Sequence, residues 1–148
     1  MSYYKTLKNN KKLKEMDQFV QHGSTSTYQH CKNVALTSQK INQKLGLSID
    51  DDILMTGALL HDFYLYDWHD LTMKDLHGLR HPEIAKENAI KYFDIPEEIQ
   101  EIITSHMWPL TITKIPKSKA AWVVCLADKQ VSLMETFQGM FGERKALC

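Results

Sequence analysis

The chain has 148 residues, a length that fits one domain with a substantial hydrophobic core. With 43% hydrophobic and 24% charged residues it has an ordinary globular composition, and no apolar run approaches the ~20 residues of a membrane span. Eighteen basic residues balance eighteen acidic ones, so no net field attracts nucleic acid or an anionic membrane. We therefore expect neither as a partner.

The cysteines and the N-terminus indicate the cellular compartment. Cys31, Cys125 and Cys148 include no close pair, which is typical of proteins kept in a reducing environment. Residues 1–14 are polar and rich in lysine, without the apolar stretch of a secretory signal. We therefore expect a cytoplasmic protein.

The first half of the chain carries three helical patterns. A weakly helical N-terminal segment covers residues 1–20, and the polar break at 23–27 offers N-cap residues for the second helix. Apolar spacings of three and four predict that this helix runs from Tyr28 to Leu45. The third predicted helix runs from Asp50 to about Asp62 and is apolar until it reaches the pair His61-Asp62.

The segment after that pair is less regular. Residues 64–70 are aromatic and are expected to form a loop. A short helix is predicted for 72–77, closed by Gly78, because glycine commonly follows a helix end. A separate helix is predicted to begin at His81, with a proline in its first turn.

The last third of the chain predicts two more helices. One opens at residues 94–97, and the β-rich stretch 109–116 after it is too isolated for a sheet, so it is expected to be an extended loop. The final helix is predicted from Lys117 to about Phe137, followed by a tail at 138–148. These patterns predict an all-α protein, a compact single-domain helical bundle.

Four polar residues interrupt the otherwise apolar helix faces: His30, His61, Asp62 and Asp128. An ionised carboxylate on a core-facing segment is costly unless a cation pairs with it or is coordinated by it. Imidazole and carboxylate are both ligands for borderline divalent metals, so one shared ion would satisfy all four groups. Each group also has a simpler explanation, such as a histidine bonded to a carbonyl or an Asp128 ion pair with Lys129 or Arg80.

The order of these residues resembles the HD-domain superfamily of metal-dependent phosphohydrolases. The resemblance rests on His30, the adjacent His61-Asp62 and Asp128, and it covers about residues 26–135. It implies one HD-type domain over residues 1–148, with the N-terminal helix and the C-terminal tail outside its core. It also implies that the four residues bind a divalent metal.

Two further histidines resemble the branches of that superfamily that hold two metals. His81 opens a predicted helix and His106 closes the next one, between the HD pair and the last aspartate. The resemblance implies that both serve a second ion and that Asp62 bridges the two metals. The competing interpretation is structural, with His81 as an N-cap and His106 as a partner of the helix dipole.

The resemblance also implies an activity. One or two divalent ions, drawn from Fe, Mn, Ni, Co, Zn or Mg, would activate water to hydrolyse a phosphate ester or nucleotide. The expected partner is a small phosphorylated substrate, a nucleotide among the candidates. Asp62 is the central catalytic residue, and Lys129 and Arg80, each next to a predicted ligand, are candidates to neutralise phosphate charge. No pattern indicates an oligomeric state.

The chain departs from the familiar branches directly after the HD pair. Where several branches carry a catalytic acid or a lysine, this chain has Leu65 and Tyr66, and the nearest acid is Asp67. The substrate is therefore not assigned. The departure supports an alternative function, a non-catalytic module that uses the metal site for structure or for sensing a small ligand.

Overall fold

A computed structural model of the chain describes residues 2–69 and 74–146, with side chains described except at 74–76 and 142–146. Within these ranges the chain forms seven α-helices, one short 3-10 helix and one two-stranded antiparallel hairpin. The elements are α1 (Tyr3–Lys8), α2 (Lys11–Lys14), the 3-10 helix (Glu15–Gln18), β1 (Val20–His22), β2 (Thr25–Ser26), α3 (Thr27–Leu45), α4 (Asp51–Leu60), α5 (Lys74–Tyr92), α6 (Glu97–Ser105) and α7 (Lys119–Ala146). The predicted all-α class is confirmed.

Helix α4 is the centre of the bundle. Every residue from Leu54 to Leu60 is buried, as expected for a helix that is apolar on all sides. Helices α1, α3, α5, α6 and α7 all pack against it. The carboxyl end of α4, where the HD pair begins, therefore opens into the middle of the molecule rather than at its surface.

The ends of α3 are set by local sequence. The Ser26 side chain accepts a hydrogen bond from the backbone N–H of Gln29, which caps the helix. At the other end Gly46 adopts the left-handed conformation, with φ of 59°, and its N–H donates to carbonyls of the last turn. The predicted helix and its N-cap segment are confirmed. His30 lies in the first turn of α3 and is fully buried.

The break at residues 23–27 contains the turn of a tight hairpin, in which residues 23–24 connect β1 to β2. Gly23 has a φ of 57° at the turn, and a Cβ on it would lie 3.2 Å from the Cα of Gly139 in α7. Only glycine pairs allow backbones to approach this closely. The hairpin therefore lies directly on α7 and places Gln21 and His22 beside the bundle centre.

The N-terminal prediction of one weak helix over residues 1–20 is wrong in detail. Asn10 starts a new helix because its side chain accepts from the N–H of Lys12, so the helical region is split into α1, α2 and the 3-10 helix. The carboxylate of Asp52, in the first turn of α4, accepts hydrogen bonds from Ser2 and from the backbone of Tyr3 and Tyr4. A tertiary contact thus fixes α1.

The predicted division between a helix at 72–77 and another from His81 is also wrong. Both belong to α5, which runs through Gly78 and contains Pro82. Helix propensity is weak compared with burial, and α5 buries His81, Ala85 and Ala89 against its neighbours, which holds the helix continuous. The start predicted at residue 72 lies outside the described residues.

The last helix is longer than predicted. Helix α7 ends at Ala146, so the tail expected at 138–148 is wrong as far as residue 146, and residues 147–148 lie outside the described ranges. The reason is that no proline follows Phe137, and Gly139 packs on the hairpin instead of ending the helix. The stretch 109–116 forms turns and loop without a strand, as predicted. None of the described helices is long and apolar enough to cross a lipid bilayer.

We predict that Gly57→Ala destabilises the protein when Ile102 is present and stabilises it when Ile102 is replaced by alanine. A Cβ on Gly57 of α4 would lie 2.7 Å from both Cδ1 and Cγ2 of Ile102 in α6. Overpacking then outweighs the propensity gain, and the free energy of unfolding falls by about 1–3 kcal/mol. In an Ile102→Ala background the same methyl fills a cavity and raises stability. Urea unfolding of the four proteins measures this, and a loss of equal size in both backgrounds contradicts it.

Candidate metal centre

Three helices bring four of the predicted ligands together. His30 comes from α3, His61 and Asp62 follow the end of α4, and Asp128 comes from α7; all four are buried. His30 Nε2 lies 3.0 Å from Asp128 Oδ1 and 3.6 Å from Asp62 Oδ2. His61 Nε2 lies 3.3 Å from Asp62 Oδ2 and 3.4 Å from Asp128 Oδ1. Nitrogen and oxygen ligands of one divalent ion, each ~2.1 Å from it, are separated by about these distances.

The remaining two predicted ligands form a second group with Asp62. Asp62 Oδ1 lies 3.2 Å from Nε2 of His81 in α5 and 3.4 Å from Nε2 of His106, the residue that follows α6. The two imidazole nitrogens are 2.9 Å apart. The two oxygens of Asp62 thus face different groups, which is the arrangement of a carboxylate that bridges two ions.

The imidazole rings are oriented through their other nitrogen. Nδ1 of His61, His81 and His106 lies within 2.6–2.7 Å of the backbone carbonyls of Ala58, His77 and Ile103, respectively. A carbonyl can only accept, so each Nδ1 carries the proton and each Nε2 of a neutral ring presents a lone pair to the centre. This is the tautomer that binds a metal through Nε2.

The same geometry leaves lone pairs without a partner. In neutral His81 and His106 two Nε2 lone pairs face each other at 2.9 Å, which is repulsive unless a cation lies between them or beside them. His61 Nε2 and Asp62 Oδ1 are buried without a hydrogen-bond partner among the described residues. Such orphaned groups are rare in native proteins, and metal ions would satisfy them. The residues present therefore fit one ion in each group.

The electrostatics of the first group show which charges an ion would meet. Burial disfavours a charged His30, but hydrogen bonds to Asp128 and Glu135 outweigh it and raise the pKa of His30 to about 10. Burial acts in the same way on His61, and the nearby charge of Asp62 raises its pKa well above the usual range. In the absence of metal, both shifts favour the protonated form of the rings.

The two aspartates show the opposite shift. Burial alone would raise the pKa of Asp62, but the charge of His61 and the imidazole nitrogens that lie 3.2–3.6 Å from its oxygens hold it well below its usual range. His30 and His61 do the same for the pKa of Asp128. Both carboxylates are thus ionised when buried, and their charge is balanced by protons that a divalent ion can replace.

Glu135 was missed in the sequence. Its side chain is buried, with Oε2 at 2.7 Å from Nδ1 of His30, while Oε1 accepts from Asn33 at 3.0 Å. A carboxylate behind a metal-binding histidine fixes the ring and increases its basicity. The signal was present, because Glu135 lies seven residues after Asp128 and therefore on the same helix face.

Gln21 and His77 were also missed. Gln21 in β1 donates to Asp62 Oδ2 at 2.7 Å, and its own carbonyl accepts from Thr27 and Tyr64. His77 stacks on His81 with ring centroids 4.3 Å apart, and burial lowers its pKa to about 4, so it adds no charge beside the centre. Nothing in the sequence indicated Gln21, because only the folded hairpin carries it to Asp62.

A cavity of about 760 Å³ opens beside the two groups. Its polar end is formed by side chains of the centre, and Lys129 lies on its wall. Lys129 Nζ donates to the carbonyl of His106 at 3.0 Å, which ties a positive charge to the residue that follows α6. Arg80, predicted for a similar role, is exposed on α5 and is not among the residues that line this cavity.

The segment after the HD pair places no acid in the centre. Tyr64 is buried, Leu65 has a φ of 61°, and the hydroxyl of Tyr66 lies 2.8 Å from Nδ1 of His77. Asp67 is 59% exposed and binds the backbone N–H of His69 instead. Among the described residues of this segment, the structure therefore also lacks the acid or lysine that several branches carry after the HD pair.

One comparison with known proteins identifies a relationship. The family model described as HD domain matches residues 27–130, which include all six predicted ligands. Neither a curated protein nor a solved structure shows a significant match to the chain.

We predict that Glu135 controls metal affinity through His30. Replacing it with leucine frees the ring and removes a negative charge, so the affinity for a divalent ion falls by about 10–100-fold. Glu135→Gln keeps an acceptor for Nδ1 and recovers part of the loss. Competition with a fluorescent chelator measures the affinities, and thermal unfolding checks that each variant is folded. The matched control is Glu101→Gln, a half-buried carboxylate that accepts hydrogen bonds from Ser118 and from the backbone of Lys117 and contacts none of the predicted ligands, and it should leave affinity unchanged. If changes at Glu135 and at Glu101 lower the metal affinity equally, Glu135 does not act through His30.

We also predict that metal binding releases protons. Because the pKa values of His30 and His61 are both raised, that of His30 to about 10, binding of the first divalent ion should displace protons near pH 7.5. Apparent affinity therefore rises as pH rises towards 10 and falls in acid, where protons compete for the same nitrogens. Calorimetric titrations in buffers with different ionisation enthalpies count the protons. Binding without proton release would show that the rings are neutral before the ion arrives.

Proposed function

The chain belongs to the HD domain family, and from this premise we propose that it is a metal-dependent phosphohydrolase. The proposed reaction is hydrolysis of a small phosphate ester, a nucleotide among the candidates. The observation that carries the proposal is Asp62, whose two oxygens face two separate groups of imidazole nitrogens at 3.2–3.6 Å. Divalent ions bound there would activate water and polarise the phosphoryl oxygens.

The residues of the centre contribute position and charge. His30, His61 and Asp128 would hold one ion, and His81 and His106 would hold the other, with Asp62 contributing to both. Gln21 donates to Asp62 Oδ2 and so restrains the shared carboxylate from rotating. The carbonyls behind the imidazoles prevent the rings from turning their protonated nitrogen inward. These restraints preorganise the centre before substrate arrives.

Lys129 is the proposed partner of the phosphate. It lies on the cavity wall one residue after Asp128, and its ammonium group is anchored at the carbonyl of His106. A fixed positive charge at this place offsets the negative charge that a phosphate brings to the centre. The proposal uses Lys129 rather than Arg80 because Arg80 does not reach the described cavity wall.

The cavity supports a substrate with an apolar or aromatic part. Its volume of about 760 Å³ lies within the usual range for small-molecule sites, roughly 300–1,000 Å³. Away from the centre its wall is apolar, with Met107, Pro109, Leu110 and Leu133, and Trp68 adds an aromatic surface. A phosphate at the polar end with a base or another apolar group against this wall would use both parts.

The alternative, a non-catalytic module, is supported by the segment after the HD pair. Leu65 and Tyr66 occupy the positions of an acid or lysine in several branches, and Asp67 is directed to solvent. A module of this kind would keep the metal and bind a phosphorylated ligand without turning it over. The two functions therefore differ in turnover and not in metal content.

We predict that the metal-loaded protein hydrolyses phosphate esters and that Asp62→Ala loses both metal and activity. The measurements are elemental analysis and phosphate release from a panel of nucleotides and aryl phosphates with Mn²⁺, Fe²⁺ or Ni²⁺. Asp94→Ala, a matched change at a carboxylate outside the centre, should keep both. Retained turnover in Asp62→Ala contradicts the mechanism. Bound metal without turnover of any compound favours the sensing module, and absence of metal rejects both functions.

A further inference from the structure

Helix α7 presents a second feature that the metal centre does not explain, a group of large apolar side chains exposed to solvent. Seven such residues lie between positions 122 and 141, and their exposure ranges from 36% to 72%. They are Trp122, Leu126, Leu133, Met134, Phe137, Met140 and Phe141. We call this set the α7 apolar stripe. Single exposed apolar residues are common, but a contiguous set of this size marks an interaction site.

The members of the stripe lie on one side of the helix. Five members are separated by steps of four, seven, four and three residues, which are helical repeats: Trp122, Leu126, Leu133, Phe137 and Met140. Together with Met134 and Phe141, they lie within a band roughly 120° wide around the helix axis. The opposite side carries Asp128 and Glu135, which face the metal centre. Helix α7 is therefore apolar on its outer face, where a surface helix is normally polar.

The outer part of α7 is held in place by the body of the protein. The close approach of Gly139 to Gly23 fixes the helix against the hairpin, and Glu135 is bonded to His30 and Asn33 on the inner face. Phe137 and Phe141 contact each other edge to face, with ring centroids 4.6 Å apart. The stripe is thus a preformed surface, and no described element of the chain covers it.

The size of the stripe fits a protein partner. A large apolar side chain exposes roughly 200 Å² when fully open, so the seven exposed fractions add up to roughly 750 Å². This is close to the area that each partner buries in a standard protein interface, roughly 800 Å². Complete burial of the stripe in both copies would therefore reach the size of a standard interface.

The charge of the stripe favours a second copy of the same chain. A two-fold interface places the same patch on both sides, so a charged patch would repel itself. Gln130 is the one polar residue within the band between Leu126 and Leu133, and it is neutral. Lys129 lies at the edge of the band, and its ammonium group is directed to the carbonyl of His106. We propose that the chain forms a two-fold dimer through the α7 apolar stripe.

The dimer would reach the metal centre through Leu133. This residue is 72% exposed, belongs to the stripe and also lines the cavity beside the two metal groups. A second copy bound at the stripe therefore borders the mouth of the cavity. The dimer itself does not depend on the proposed hydrolase activity, because its evidence is the outer face of α7.

Sedimentation velocity of the full chain tests the dimer. The expected wild-type mass is twice the 17.2 kDa of one chain. Phe137→Glu with Met140→Glu introduces like charges on both sides of a two-fold interface, and the dissociation constant should rise at least about 100-fold. Leu45→Glu is the matched control, since Leu45 is 65% exposed at the end of α3 and lies outside the stripe. It should remain dimeric.

Several outcomes overturn the proposal. A wild-type monomer at about 100 µM does so, as does a dimer that persists in the double variant while circular dichroism shows both proteins folded. A monomer that binds neutral phosphatidylcholine vesicles through the stripe would identify a lipid surface as the occupant instead. Loss of the dimer in Leu45→Glu as well would show that the effect is not specific to α7.

Discussion

The buried carboxylate of Asp62 is the constraint on which the rest of the structure depends. It is 2% exposed, and burial of an ionised carboxylate without a partner costs several kcal/mol. The fold meets this cost by directing four imidazoles at it, from α3, α5 and the ends of α4 and α6. The helices that pack around α4 thus bring imidazole nitrogens to both oxygens of Asp62, where a proton or a metal ion can balance the charge.

Order in the centre comes from the groups behind the ligands. Backbone carbonyls in the last turns of α4 and α6 fix His61 and His106, and Glu135 fixes His30. Helix ends provide such carbonyls without further cost, because their last carbonyls have no partner within the helix. His61 and His106 each directly follow a helix, so the free carbonyls of the last turn hold the proton on Nδ1 and leave Nε2 to face the centre.

Helix α7 connects the two proposals. Its inner face supplies Asp128 and Glu135 to the centre, its outer face carries the apolar stripe, and Lys129 lies at the edge between the two faces. The contact between Gly139 and Gly23 anchors the helix on the hairpin beyond the centre. Contacts made on the outer face would lie close to the cavity, with Leu133 common to both surfaces.

The all-α class could be predicted from the sequence, and so could the six residues that meet at the centre, because helical periodicity and an isolated carboxylate on an apolar face such as Asp62 are local signals. Their role as metal ligands stays a prediction. Glu135 could have been found by the same spacing. Gln21 could not, because its contact with Asp62 exists only when the hairpin packs on α7. Continuous helix through Gly78 and Pro82 likewise contradicts local propensity, and burial of α5 decides it. Tertiary structure alone determined these features, since contacts between distant segments outweigh the weak preferences of single residues.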